Sequence, residues 1–77
     1  MILKIMNSDK ILYNGKIFYL KAPGLNGYFQ ILKNHTSFIS VLKKGSIKFK
    51  NKNKIEQNIS VESGLLKVIN NLIVILL

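Results

Sequence analysis

Few of the side chains can do covalent or acid–base chemistry. The 77 residues include one histidine, His35, three carboxylates, Asp9, Glu56 and Glu62, and no cysteine. A catalytic or structural zinc takes three or four nitrogen, sulfur or oxygen ligands, and acid–base work takes titratable groups within reach of one substrate atom. One imidazole and three scattered carboxylates meet neither demand, so no catalytic residue, metal ligand or cofactor-binding residue is assigned. The glycine turn PGLNG, residues 23–27, is not a phosphate loop, because it lacks the Lys-Ser/Thr ending and the helix that should follow. What stands out is GLNGYFQILKNHTSF, residues 24–38, which holds two glycines, the histidine and no charge but Lys33. Such a stretch is suited to touching something: glycine permits close backbone approach, and Tyr28 is a large ring with a polar tip. His35, in an Asn-His turn, either joins that contact or satisfies local backbone groups.

The formal net charge of +9 raises the question of a phosphate-bearing partner, since clustered cations gain affinity by releasing counterions. All twelve basic residues are lysine, however, and none is arginine, the usual bidentate reader of guanine and phosphate. Lysine is joined by abundant isoleucine and asparagine, as in NKNK at residues 51–54, the pattern of an AT-biased genome. The lysines are therefore read as solvated faces that also guard strand edges. The alternative is a small basic β-barrel binding single-stranded nucleic acid, with Tyr13, Tyr19, Tyr28 or Phe49 as stacking platforms.

The elements that must carry these residues are strands. Ile47 and Phe49 alternate with Ser46, Lys48 and Lys50; Ile55, Gln57, Ile59 and Val61 alternate with Glu56, Asn58 and Ser60. That period of two marks half-buried strands with one wet face. Turn signals recur at NSDK (7–10), NG (14–15), PGLNG (23–27), KNH (33–35), KKG (43–45), NKNK (51–54), ESG (62–64) and NN (70–71), and both Asn-rich sites are expected hairpin tips. No window has the period of a long amphipathic helix. The chain is expected to be one domain, residues 1–77, an all-β protein folded as an antiparallel sandwich or barrel. A domain this small buries only about 60% of its unfolded surface, so stability comes from packing or from a partner. In KIFYLKA, residues 16–22, simple alternation sets Phe18 and Leu20 on one face and Ile17 and Tyr19 on the other. LIVILL, residues 72–77, has no polar alternation: either it is buried on both faces, or its outer face meets something outside this chain. The opening MILKIMNSDK breaks its apolar run at Lys4, so no signal peptide is expected, and LIVILL is far short of a membrane span.

The order of these signals resembles the N-terminal β-sandwich domain of the epsilon subunit of F-type ATP synthases along the whole chain, a resemblance that implies an antiparallel β-sandwich of two packed sheets. LKIMNSDKILYNGKIFYLKAPG is similar to the family's start, a strand and a TPE-like turn followed by LF.G.V..V..PG. Ser8 and Asp9 take the turn, Leu12 and Tyr13 the Leu-Phe places, and Gly15, Pro23 and Gly24 match. The family's central signature, close to G.FGILPNHAPL...L..G, is met by Gly27, Phe29, Ile31, Leu32, Asn34, His35, Leu42 and Gly45. VESGLLKV resembles the SGGFLEV segment and NNLIVIL the N.VTVL ending. Gln30 departs from a usual glycine, Lys33 and Ser37 from usual prolines, and Glu62 and Ser63 from Ser-Gly. The lost prolines leave the 33–37 segment less pre-set. The family's C-terminal helical hairpin, which inhibits ATP hydrolysis, has no counterpart in the 77 residues, and that role is not carried over.

The resemblance implies a non-catalytic subunit of the central stalk, the rotor of a proton- or sodium-driven ATP synthase. It would couple the gamma subunit to the membrane c-ring during ATP synthesis and reach the alpha/beta catalytic hexamer through gamma. It also implies no cofactor, no nucleic acid, and a peripheral place at the cytoplasmic face of the bacterial inner membrane. The expected c-ring contacts are Gly24, Leu25, Asn26, Gly27, Tyr28 and His35. The expected gamma contacts are Phe18, Tyr19, Ile39 and Val41, which residue type alone leaves equally open to the core. Tyr28 stands where other members can carry a carboxylate, so packing or a phenolic hydrogen bond would replace an ionic contact there.

Overall fold

The computed structural model describes residues 1–32 and 37–77. Eight strands follow in order: β1 (Ile2–Met6), β2 (Ile11–Gly24), β3 (Gly27–Ile31), β4 (Phe38–Leu42), β5 (Gly45–Asn51), β6 (Glu56–Val61), β7 (Gly64–Ile69) and β8 (Leu72–Leu76). The expected all-β sandwich is the fold found. β2 is long because it serves both layers. Its first half pairs with β1, and its second half pairs with β5 and β3. One layer thus runs β4-β7-β8-β1-β2 and the other β3-β2-β5-β6. The pairing is antiparallel except between β1 and β8, which run parallel, because the chain returns through β7 and inserts its final strand beside its first.

The change of layer along β2 is made by an irregularity. Ile17 pairs with Asn51 and Tyr19 with Lys50, so Phe18 is the extra residue of a β-bulge. This overturns simple alternation in KIFYLKA: Ile17 and Leu20 both enter the core, while Phe18 is exposed and Tyr19 half-buried. The Asn14-Gly15 signal is also overridden. Both residues lie inside β2, paired with Lys4 and Leu3 of β1, so strand pairing wins over local turn preference.

The core lies between the layers. Leu3, Ile5, Ile73 and Ile75 come from the parallel pair, and Leu20, Ile31, Ile47 and Phe49 from the facing layer, all fully buried. Tyr13 stacks at a tilt on Phe49, ring centroids 4.5 Å apart. No buried side-chain nitrogen or oxygen among the described residues lacks a partner, as a core of aliphatic and aromatic groups requires.

The turns close by side-chain oxygens and positive φ. Ser8 and Asp9 form the first turn as expected, and Asn7 closes it, its Oδ1 accepting from the N–H of Asp9 and of Lys10. Both expected hairpin tips are present. At NKNK, Asn51 Oδ1 accepts from Asn53 and Ile55 N–H, and the positive φ, 62°, falls on Lys54. At NN it falls on Asn70. The KNH signal lies outside the described residues.

Candidate docking surfaces

The two outer faces of the sandwich differ in kind. On the β4-β7-β8-β1-β2 layer, register places the outward residues in rows. Val41, Leu65, Leu76 and Met6 stand side by side in one row. Ile69, Leu72 and Ile2 stand side by side in another. Between them runs Ile39, Lys67, Val74, Lys4 and Asn14. Val41 is 50% exposed and Ile39 62%; most of the exposed large hydrophobics of the described residues share this face. Scattered apolar residues on a surface are ordinary, but a contiguous field of them marks an interaction site. LIVILL is therefore not buried on both sides. Ile73 and Ile75 point to the core, and Leu72 and Leu76 belong to the exposed face.

The outer face of the second layer is polar. Lys21 of β2 lies opposite Lys48 of β5, which lies opposite Asn58 of β6. Tyr19, Lys50 and Glu56 form the next row. The Tyr19 hydroxyl donates to Glu56 Oε1 at 2.9 Å, and Lys50 Nζ sits 5.7 Å from the Tyr19 ring centroid. The hydrogen bond to Glu56 is the main cause that holds the Tyr19 phenol above its ordinary value, with desolvation and the Glu56 charge adding in the same direction.

The glycine turn joins the apolar face at one end. β2 and β3 close through Leu25 and Asn26, with Gly24 paired to Gly27. Gly27 has φ +116°, a conformation that side-chain-bearing residues rarely take. Gly24 also pairs with Leu42, and Lys43 N–H donates to Pro23 O at 2.9 Å. β4 is thereby tied to the turn, so Gly24, Leu25, Gly27 and Tyr28 share one open cleft with Ile39 and Val41. Tyr28 is 61% exposed yet anchored, its hydroxyl accepting from Ser46 N–H.

The expected ring contacts Gly24, Leu25, Asn26, Gly27 and Tyr28 are thus assembled at one end, while His35 lies outside the described residues. The four expected gamma contacts do not share one surface. Ile39 and Val41 lie on the apolar face. Phe18 sits at the bulged corner beside Met1, Lys16 and Lys52, and Tyr19 faces the polar side. Sequence reasoning missed Leu65 and Ile69 as surface residues; for Leu72 and Leu76 the exposed outer face of LIVILL was one of its two alternatives, and that alternative is the one found. Their signal was present: β7 and β8 carry apolar residues on both alternating faces, one more face than the core uses. Of the stacking platforms of the nucleic-acid alternative, Phe49 is fully buried with Tyr13 packed upon it, while Tyr28 shares a cleft with Lys21 and Lys48, and Tyr19 lies beside Lys50.

A sandwich with one apolar outer face, one polar outer face and a glycine turn at the edge of the apolar one defines a small β module built to be covered on one side. The chain belongs to the family of ATP synthase delta/epsilon chain β-sandwich domains, whose model matches residues 1–77. It is 32% identical over 74 residues to the ATP synthase epsilon chain of Chlorobium limicola, covering 96% of this chain and 84% of that one. It is 38% identical over 72 residues to the epsilon chain of Leptospira borgpetersenii, of which it spans 56%. In fold it matches a chain of the Euglena gracilis mitochondrial ATP synthase OSCP/F1/c-ring structure with a TM-score of 0.91 at 14% identity, covering 99% of this chain and 49% of that one. A chain of the Tetrahymena thermophila central stalk and c-ring structure matches with a TM-score of 0.80 at 17% identity, covering 97% and 60%. The epsilon-type sandwich expected from the residues is the family found.

Proposed function

We propose that this chain is a non-catalytic coupling subunit in the central stalk of a rotary ATP synthase. The apolar β4-β7-β8-β1-β2 face packs against the gamma subunit, with Ile39 and Val41 among its contacts. The Gly24 to Tyr28 end rests on the c-ring, with His35 assigned to the same contact from the sequence. Bridging two rotor parts lets them turn together, and the subunit acts on the alpha/beta hexamer only through gamma. Its place is peripheral, at the cytoplasmic face of the bacterial inner membrane; no helix among the described residues is long and apolar enough to cross one. The observation that carries this reading is the continuity of the apolar face with the glycine-turn end, joined at β4. Two partners that rotate as one body can then be held by adjoining surfaces of one rigid sandwich.

Co-expression with the gamma subunit of the same genome, followed by size-exclusion chromatography over a salt series, tests it. A stoichiometric complex that survives high salt is expected, because apolar burial is not screened. Failure to co-elute with gamma, or salt-sensitive retention of nucleic acid in its place, would overturn it.

A further inference from the structure

The apolar face contains two charges in a position that its own chain does not explain. Lys67 of β7 and Lys4 of β1 flank Val74 of β8 in the middle row. Apolar rows lie on either side, Val41-Leu65-Leu76-Met6 on one and Ile69-Leu72-Ile2 on the other. Two strand spacings put the lysine backbones about 10 Å apart. The chain has three carboxylates. Glu56 is on the opposite layer, 3.9 Å from Lys48, and Asp9 and Glu62 lie in turns. Among the described residues neither Lys4 nor Lys67 makes an ion pair.

When a partner covers this face, both ammonium groups lose water. Without opposing charge that loss costs more than the apolar contacts around each lysine return. A lysine at a rim can bend its head back to solvent, but Lys67 has β4 and β8 on its two sides and Lys4 has β8 and β2. A second copy of the chain would set ammonium against ammonium between bodies of net charge +9, so self-pairing is disfavoured.

We propose that the gamma subunit covering this face presents two acidic side chains about 10 Å apart within an otherwise apolar surface, one against Lys4 and one against Lys67. The pair fixes the register of docking and rejects a partner surface lacking those acids. This inference rests on the gamma reading above.

The test measures binding of the purified chain to the gamma subunit of the same genome by calorimetry, for wild type, Lys4→Glu, Lys67→Glu and Lys67→Gln. Lys21→Glu on the polar face serves as control. Melting of each free variant checks folding, and the neutral Lys67→Gln keeps the test sound should a reversal disturb the sheet. Wild type and Lys21→Glu are expected to bind alike, with each reversal weakened at least about 30-fold and Lys67→Gln weakened less. Restoration by an acidic-to-lysine change in gamma would identify the opposing residue. Wild type binding gamma with Lys4→Glu and Lys67→Glu within twofold of it would overturn the charge pairing while leaving the docking reading intact. Wild type that ignores gamma, and instead dimerises or sediments with phosphatidylglycerol vesicles, would overturn both.

Discussion

The Tyr28 hydroxyl accepts a 3.0 Å hydrogen bond from the Ser46 N–H, tying the exposed ring of β3 to the start of β5. Beside it a Cβ built on Gly45 would lie 2.7 Å from the Tyr28 hydroxyl and 2.8 Å from Pro23 Cβ. The ring at the turn end is thus pre-set by its own chain, and Gly45 is the vacancy that lets it lie down. Gly45→Ala must displace Tyr28 or Pro23 and is expected to cost about 1–3 kcal/mol. Thermal melting of the free domain reads this as a drop of several degrees; an unchanged melting temperature would mean that the ring swings away freely.

Tyr28→Ala separates contact from fold. Because the ring is largely solvent-exposed in the free domain, melting should fall by no more than about 1 kcal/mol equivalent, the worth of one hydrogen bond. Attachment to the c-ring and coupled ATP synthesis should fall clearly. Unfolding of the isolated domain would show that Tyr28 works as core.

Gly27→Ala places a side chain at φ +116°. No steric neighbour lies within 4 Å of the new Cβ, so the cost is backbone strain alone, about 1–3 kcal/mol. Weaker hydrogen-exchange protection in the β2–β3 hairpin than in the β7–β8 hairpin is the expected readout.

Tyr19 supplies a pH signature. Its folded-state pKa is raised above 10.0, first by the hydrogen bond to Glu56. A raised pKa means that the folded state holds the proton more tightly. Its contribution is therefore fully present below the unfolded value and is lost as pH rises through the folded one. Absorbance titration near 295 nm should show one tyrosine ionising late, and Glu56→Gln should bring it back toward the ordinary range. Persistence of the late phase in that variant would assign the shift elsewhere.

Phe49 sits at the centre of the core, and Phe49→Ala is expected to cost about 3–5 kcal/mol. A domain this small has little to spare, so the variant should be largely unfolded at 37 °C by circular dichroism. A folded variant would place the load of stability in other contacts.

β5 and β6 were legible from period two, β8 from its aliphatic run, and the hairpin tips at residues 51–54 and 70–71 from their asparagines. The face of Phe18 was not legible, since the bulge after Ile17 is set by how β2 must leave one layer for the other. Nor was the failure of the Asn14-Gly15 turn, where pairing with β1 holds the backbone extended. Glycines and Tyr28 marked the turn end by composition. The apolar face was only half visible: Ile39 and Val41 could be named, but the row that joins Val41 to Leu65 and Leu76 depends on β4 pairing with the β7–β8 hairpin, which comes much later in the chain.

Cysteine accessibility is the most direct test of the docked arrangement, because the chain has no cysteine of its own. Val41→Cys, Leu25→Cys and Asn58→Cys would each be labelled with a maleimide in the free domain, in its complex with gamma, and in the assembled stalk with c-ring. Labelling should slow at position 41 on adding gamma, slow at position 25 only once the ring is present, and stay unchanged at position 58. Protection at position 58, with position 41 left open in the full assembly, would contradict the account.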